Sequence, residues 1–282
     1  EIYTLSLHDA LPILAHEKKV GNISWSGDAR MQYQRRGDKE DYFNGRMRIN
    51  VEGQVNDQVT VNGRFVTNAD LKGNDDIDDS KTIMDRINAK WTPNDATYVT
   101  IGRQGVALDV TGTFWDEDAV FDGVAAGWDN GKVGVEAGYG RFKDAFKDEG
   151  WTSVDKTEAW YGKLTGHIAD AADVSAFYLK NAQKQDVAGD AEGKTASAWG
   201  AGLSYGIGDF TVDGDYVKTK NTSAGDAALW TAGLTYGEVD TDKVGSWSLG
   251  AHYVKADKGS TLLGCSALDM GDQLDYASDT NV

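Results

Sequence analysis

The chain has 282 residues, a formal net charge of −17, 34 glycines, 2 prolines and one cysteine. With this acidic balance the chain has no basic stripe that could neutralise phosphates, which excludes a nucleic-acid-binding protein and argues against a polybasic membrane-surface protein. Cys265 is alone, so it forms no intrachain disulfide and fits no zinc motif. The mean hydropathy is −0.49, and no run approaches the ~20 apolar residues of a transmembrane helix. A β-barrel stays possible, because its strands carry apolar residues only at every second position.

Residues 1–13, EIYTLSLHDALPI, resemble the in-frame translation of a common short-read sequencing adapter. We therefore interpret them as an artefact and leave them out of the fold. The native sequence is expected to begin near Leu14 or Ala15, with a linker over 14–22 before the first strand.

From residue 22 onward, apolar and polar residues alternate. In the first segment Ile23 and Trp25 share one face, whereas Ser24 and Arg30 lie on the other. This period of two indicates strands rather than helices. About thirteen strands are predicted in this way. They cover 23–34, 43–55, 59–68, 83–92, 97–104, 121–128, 133–142, 157–168, 174–180, 197–205, 210–218, 228–236 and 246–255.

The connections between these strands alternate in length. Short polar turns fall at 56–58, 93–96, 129–132, 169–173 and 206–209, and the longer stretches between them include 69–82, 105–120, 143–156 and 181–196. The alternation is strict apart from a somewhat longer turn at 237–245. It predicts an antiparallel up-and-down barrel with tight turns on one rim and long loops on the other.

The two faces of the strands differ in chemistry. The apolar face often carries an aromatic residue at each end, as membrane-interface girdles do; the candidates are Trp25, Tyr33, Trp91, Trp199, Tyr205, Trp230, Tyr236, Trp247 and Tyr253. Cross-strand aromatic packing in a soluble sheet is the alternative interpretation. The opposite face is rich in charged and amide side chains that cannot pack without water. The sequence therefore predicts a wet interior and an apolar exterior facing lipid.

Three short motifs, in this order, resemble the porins of Gram-negative bacteria. They are Trp25-Ser-Gly-Asp-Ala-Arg30, Ile101-Gly-Arg-Gln104 and Phe121-Asp-Gly-Val124. The stretch from Val20 to Arg30 is most similar to porins of diderm Firmicutes, which often carry an S-layer-homology domain upstream. The resemblance implies an outer-membrane homotrimer, with possible peptidoglycan attachment through a missing N-terminal region. It also implies an even strand number, about sixteen, so that 23–282 would be an incomplete, C-terminally truncated barrel.

The third long loop of trimeric porins folds into the lumen, and here that loop is 105–120. Its acidic residues are Asp109, Asp116, Glu117 and Asp118. Inward positions of the early strands supply a basic wall of Arg30, Arg46, Arg48, Arg64, Arg86 and Lys90. An acidic loop opposite a basic wall predicts a transverse field that favours small hydrophilic solutes. Arg103 is ambiguous: alternation points it outward, although a bulge could turn it inward.

The sequence carries no nucleophile elbow, phosphate loop or HExxH motif, so no enzymatic activity, cofactor or metal is expected. The expected partners are outer-membrane lipid and small hydrophilic solutes. A second hypothesis is a surface-attached β protein that binds carbohydrate through its aromatic side chains. That protein would carry its aromatics on the polar face or in loops, whereas most lie on the apolar face here.

Overall fold

The computed structural model describes residues 21–34, 42–71, 81–143, 154, 157–168, 171–187, 190–240, 242–264 and 280–281. Thirteen long strands dominate these residues: β1 Ile23–Gln34, β2 Tyr42–Asn56, β3 Val59–Asp70, β4 Lys81–Trp91, β5 Thr97–Gln104, β6 Val120–Asp129, β7 Val133–Lys143, β8 Glu158–Ile168, β9 Ala172–Asn181, β12 Ser197–Ile207, β13 Phe210–Thr222, β14 Gly225–Glu238 and β15 Trp247–Ala256. Three short strands complete the set: β10 Gln185–Val187, β11 Asp190–Lys194 and β16 Thr280–Asn281. Within the described residues, no helix is long and apolar enough to cross a membrane.

One sheet of 14 strands runs in the order β1 to β9 and then β12 to β16, each antiparallel to its neighbour. Strand β9 pairs with β12 because β10 and β11 form a separate two-stranded hairpin between them. The predicted all-β, up-and-down antiparallel architecture is confirmed. Among the described residues, the sheet is open between β1 and β16.

The register keeps the two faces separate across the sheet. Outward Trp25 pairs with Val51, and inward Arg30 pairs with Arg46. A one-residue slip would exchange the faces of a whole strand, so the alternating sequence specifies this register.

One end of the strands carries the turns predicted to be short, for example between β6 and β7; we call it the turn end. The other, the loop end, carries the connection of 105–119 between β5 and β6. The strict alternation of turn and loop lengths is wrong between β13 and β14. There the two strands extend to Thr222 and Gly225, and only two residues join them. The Thr222 hydroxyl donates to the Gly225 carbonyl at 2.5 Å, which closes the hairpin.

The prediction of a wet interior is wrong at the loop end of β6 to β15. Side chains of the loop 105–119 pack there against inward side chains of these strands. The buried cluster includes Leu108, Phe114, Trp115, Phe121, Phe142, Tyr161, Phe177, Leu179, Val217, Leu229, Val254, Leu262 and Leu263. Most of the inward residues at this end are aromatic or aliphatic, and the loop removes them from water, which stabilises the position of the loop on the inner face.

Candidate functional site: the inner walls

The first inner wall is basic and lies on β1 to β4. Arg30, Arg46, Arg48, Arg64, Arg86 and Lys90 all occupy inward positions of these strands. Arg30 pairs in register with Arg46, and Arg64 with Arg86. Lys90 lies over the ring of Tyr98, with its Nζ 4.9 Å from the ring centroid. This spacing concentrates positive charge on a few neighbouring strands.

An irregularity in β4 adds an acid to this wall. The register shifts between the pairs Arg64–Arg86 and Phe65–Met84, which leaves Asp85 unpaired in the ladder. Asp85 is 2% exposed and accepts hydrogen bonds from Arg64 Nε at 2.9 Å and Nη2 at 2.6 Å. The sequence pattern missed Asp85 because a bulge breaks the alternation on which the prediction depends.

The loop contacts the basic wall through Asp118. Its carboxylate oxygens lie 3.2 Å from Arg46 Nη1, 2.8 Å from Arg48 Nη1 and 3.0 Å from Arg64 Nη1. Burial by itself would raise the pKa of Asp118, but the three guanidinium groups outweigh burial and lower it. Asp118 therefore stays ionised and holds this end of the loop against the wall.

The neighbouring acids behave differently. Glu117 contacts the wall through its backbone carbonyl, which accepts a hydrogen bond from Arg86 Nη2, and Arg86 Nη1 also donates to the Ala119 carbonyl at 3.3 Å. Burial is the largest influence on Asp116 and raises its pKa. Among the loop acids, Asp118 alone forms an ion pair with the arginines within the described residues.

Asp109 was expected to face the arginines of the basic wall, but the structure places it elsewhere. It is 5% exposed and accepts hydrogen bonds from the backbone amides of Phe114 and Trp115, both at 2.9 Å. It therefore braces the turn of its own loop. Burial first, and the charge of Asp215 second, raise the pKa of Asp109 to about 7.

The tip of the loop is bound to the wall across the lumen from β4. Asp215 of β13 accepts hydrogen bonds from the amides of Val110 at 3.0 Å and Thr111 at 2.7 Å. Lys163 Nζ donates to the Ala107 carbonyl at 2.8 Å, and Ser175 Oγ to the Leu108 carbonyl at 3.0 Å. Strands β8, β9 and β13 thus each hold one segment of the loop.

Aromatic contacts complete this attachment. Phe114 stacks on Phe177 with ring centroids 5.3 Å apart, and Trp115 meets Phe142 edge-on at 5.1 Å. Both loop residues are at most 1% exposed. The sequence signal for this contact is the aromatic pair of the loop together with aromatics on the inward phase of β6, β7, β8 and β9.

Toward the turn end, the same strands present carboxylates. The inward positions of β6, β7, β9 and β13 hold Asp129, Glu136, Asp173, Asp213 and Asp215. Glu136 accepts hydrogen bonds from the hydroxyls of Tyr98 at 2.5 Å and Tyr161 at 2.9 Å. These acids were not predicted as site residues, although the period of two places them inward. They lie on strands separate from the arginines of β2 to β4, and they add acidic groups to the inner face beyond those of the loop.

A cavity of about 460 Å³ lies on the basic wall. Its lining is polar apart from one valine and a glycine, and consists of Ser24, Ser26, Asn50, Val51, Glu52, Asn62, Gly63, Arg64, Arg86 and Asn88. Amide and hydroxyl side chains bridge neighbouring strands there, as Asn62 Nδ2 does to Asn88 Oδ1 at 3.1 Å. A cavity with such a lining is suited to hold water.

The outer face is apolar and aromatic. Trp25, Tyr33, Trp91, Trp199, Tyr205, Trp230, Tyr236, Trp247 and Tyr253 all lie on it, 39% to 60% exposed. Arg103 lies on this face too, where alternation places it, opposite Ile87 in the register. It pairs with Asp122 of β6, Nε to Oδ1 at 2.8 Å. Large apolar side chains therefore point away from the protein over most of the sheet.

No protein-family model and no curated protein sequence matches the chain. Solved structures do resemble it. OmpF of Salmonella typhi, in complex with daunomycin, aligns with a TM-score of 0.61 at 14% identity, over 86% of this chain and 82% of its own. A mutant of the Rh. blastica porin aligns at 0.45 and 15% identity, over 83% and 94%. In-vitro folded OmpT of Vibrio cholerae, in its trimer form, aligns at 0.46 and 14%, over 92% and 95%. The likeness to OmpF shows that this chain has the fold of a porin-type β-barrel.

Proposed function

We propose that the protein is an outer-membrane porin, a water-filled channel for the passive diffusion of small hydrophilic solutes and ions. The inversion of its two faces carries the proposal. Trp160, Leu164 and Ile101 are 61%, 54% and 58% exposed on the outer face, whereas the inner walls hold the charged groups. Such an exterior is stable in lipid, and the bilayer core permits only helices and closed barrels to span it.

The inner walls support the choice of solute. Arginines lie on β2 to β4 and carboxylates on β7, β9 and β13, so closure of the sheet into a barrel sets charges of opposite sign on different sides of the lumen. A transverse field of this kind orients dipolar solutes. It disfavours apolar solutes, because they displace water that the charged side chains hold and form no polar contacts in its place. The polar cavity on the basic wall gives such solutes a wet path beside the loop.

Planar-bilayer conductance of the gene product, refolded in detergent, tests the proposal. We expect ohmic conductance steps, because a permanently open aqueous lumen has no voltage-dependent barrier of its own. The absence of ohmic, water-filled conductance would contradict it. Heat-modifiable gel mobility tests the barrel separately, since a folded barrel migrates differently before and after boiling.

The carbohydrate-binding alternative finds no specific support. The inward and loop aromatics Phe114, Trp115, Phe121, Phe142 and Phe177 are at most 5% exposed, so they present no free ring for a sugar to stack on. The remaining expectations belong to the porin proposal: a homotrimer, contact with outer-membrane lipid, peptidoglycan attachment through an upstream region, and no enzymatic activity. Cross-linking of the purified protein into trimers tests the first of them.

A further inference from the structure

Charged residues on the outer face are concentrated at the loop end of the sheet. Lys180 of β9, Lys218 and Lys220 of β13 and Lys255 of β15 all occupy outward positions there. Lys180, Lys220 and Lys255 are exposed, and Lys218 is half-buried. We call these four residues the lysine row.

Three of the four lysines lie opposite a tryptophan, and the fourth, Lys220, lies opposite Ser197. Trp160 lies opposite Lys180 in the register, Trp199 opposite Lys218, and Trp230 opposite Lys255. The three tryptophans are 61%, 44% and 39% exposed. Tryptophan favours the boundary between hydrocarbon and headgroups, and lysine extends its ammonium group from that boundary toward water. The repeated pairing therefore places the lysine row at headgroup depth.

The lysine row has no acidic partner within the part of the chain that the structure describes. The two outward carboxylates nearest along the chain, Asp226 and Asp257, accept hydrogen bonds from the backbone amides of Asn221 at 3.0 Å and Ala228 at 3.1 Å instead. Both of these carboxylates are thus engaged with backbone amides, and Glu158, the outward acid of β8, is paired with Arg141.

Two other parts of the outer face show that this arrangement is not general. On β5 to β8 the outward cations are paired with acids: Arg103 with Asp122 at 2.8 Å, and Arg141 with Glu158. At the turn end of β8 to β15 most outward residues are apolar or aromatic, among them Ile168, Ile207 and Leu249, 56% to 61% exposed, and the outward charge at the end of β14 is the acid Glu238. Among the described strand residues of the outer face, cations without an acidic partner therefore lie at the loop end of β9 to β15.

We infer that the lysine row is a docking surface for the anionic phosphate headgroups of membrane lipids in the leaflet at the loop end. Charge complementarity carries the inference: phosphate oxygens supply the acceptors that the protein itself does not. A lysine near an anionic membrane surface is attracted to it, and the attraction is screened over a Debye length. The inference rests on the membrane location in the proposed function, but not on conductance.

Quenching of tryptophan fluorescence by brominated lipid tests the inference. The full chain is reconstituted in phosphatidylcholine vesicles in which either phosphatidylglycerol or phosphatidylcholine carries the bromine. Trp160, Trp199 and Trp230 lie beside the lysine row, whereas other outward tryptophans, such as Trp25 and Trp91, lie away from it. The lipid bound at the row is therefore reported by the difference in quenching between the wild type and variants that lack its lysines. We expect brominated phosphatidylglycerol to bind about fivefold more tightly than brominated phosphatidylcholine, and this preference to shrink at ~1 M salt.

The variant K180Q/K218Q/K220Q/K255Q is expected to lose the preference, and K218Q/K255Q to lose part of it and to serve if the quadruple variant does not fold. The matched control K132Q/K243Q removes the same charge as the double variant, but from turns at the opposite end, and should keep the preference. Equal preference in the wild type and both row variants would overturn the inference alone. No quenching by either brominated lipid would overturn both the inference and the membrane location, whereas a preference without conductance would overturn only the channel.

Discussion

The two inner walls of the barrel hold the same loop by different physics. On β2 and β3, three arginines converge on Asp118, and the contact is ionic and part-exposed, with the Asp118 side chain 33% accessible. On β6 to β9, Phe114 and Trp115 are at most 1% exposed among aromatic and aliphatic side chains. The ionic contact depends on pH and salt, and the apolar one on shape and volume. Salt can therefore weaken the contact at Asp118, whereas the packed aromatic side chains give the rest of the loop a fixed position.

The two walls also divide the lumen into a packed part and a polar part. A barrel with a uniformly polar interior would leave the loop free to move in water. Here the apolar wall fills the loop end of β6 to β15 with packed side chains, and the polar cavity lies beside the arginines of β3 and β4. The proposed passage for solutes therefore runs along the basic wall.

The largest expected effect comes from the apolar wall. Phe142 is fully buried and touches both Trp115 and Phe121, with ring centroids 5.1 and 4.8 Å away. Phe142→Ala should lower the free energy of unfolding by about 3–5 kcal/mol, because it leaves a cavity that the surrounding rings cannot fill. Urea unfolding in detergent measures the change. Leu164→Ala, on the outer face, is the control and should cost less; an equal cost would mean that the apolar cluster is not packed as described.

The second prediction concerns pH, and its sign differs between the two ends of the loop. The pKa of Asp109 rises from 3.8 to about 7 on folding, so the folded chain keeps a proton that the unfolded chain has already lost. Stability should therefore fall as the pH rises from about 4 to about 7. The lowered pKa of Asp118 has the opposite consequence: its contribution is present above its ordinary value of 3.8 and is lost on further acidification.

Thermal unfolding of the wild type and of Asp109→Asn in detergent, over pH 4 to 8, checks this prediction. The Asn variant should lose the decline between about pH 4 and about pH 7, because it has no proton to release. Asp116→Asn provides a comparison within the same loop. A difference between wild type and Asp109→Asn that stays constant over the whole range would contradict the assignment to Asp109.

A third prediction concerns the hydrogen bonds that Glu136 of β7 accepts on the inner face. Tyr98→Phe removes the hydroxyl that donates to Glu136 at 2.5 Å but keeps the ring. That ring lies so close over Gly127 that an added Cβ there would come within 2.4 Å of it. We expect a loss of about 2 kcal/mol in unfolding free energy, as for one hydrogen bond to a charged group. Tyr178→Phe, on the outer face, should be neutral in the same urea titration; equal losses would contradict the role of Glu136.

The smallest expected effect is on ion selectivity and concerns Asp118 at the basic wall. Asp118→Asn leaves Arg46, Arg48 and Arg64 without their shared carboxylate, which makes the basic wall more positive. The permeability ratio of anions to cations should rise about threefold, the effect of about one kT in local potential. Reversal potentials in a salt gradient measure it. Glu117→Gln is the matched control, since Glu117 contacts the wall through its backbone carbonyl. An equal rise of the permeability ratio in both variants would contradict the role of the Asp118 ion pairs.

Much of the architecture follows from local alternation. A period of two, read from residues such as Ile23 and Ser24, is sufficient to place thirteen strands and to assign Arg30, Arg46 and Arg48 to one face, because side chains along a strand alternate whatever lies around it. The same alternation places Arg103 on the outer face. It fails at Asp85, where a bulge inserts one residue, and between Thr222 and Gly225, where polar residues that suggest a loop continue the ladder.

Tertiary structure alone decided what fills the lumen. Aromatic residues on both phases, such as Trp160 and Tyr161 or Tyr178 and Phe177, indicate strands that are apolar on two faces, but they do not say what covers the inner one. Only the folded chain brings Phe114 and Trp115 from the loop to β7 and β9, and Asp109 to a site without arginines. The reason is physical: alternation is a property of neighbours in the chain, whereas burial and ion pairing depend on residues that are distant in the chain, such as Arg46 and Asp118, which are 72 positions apart.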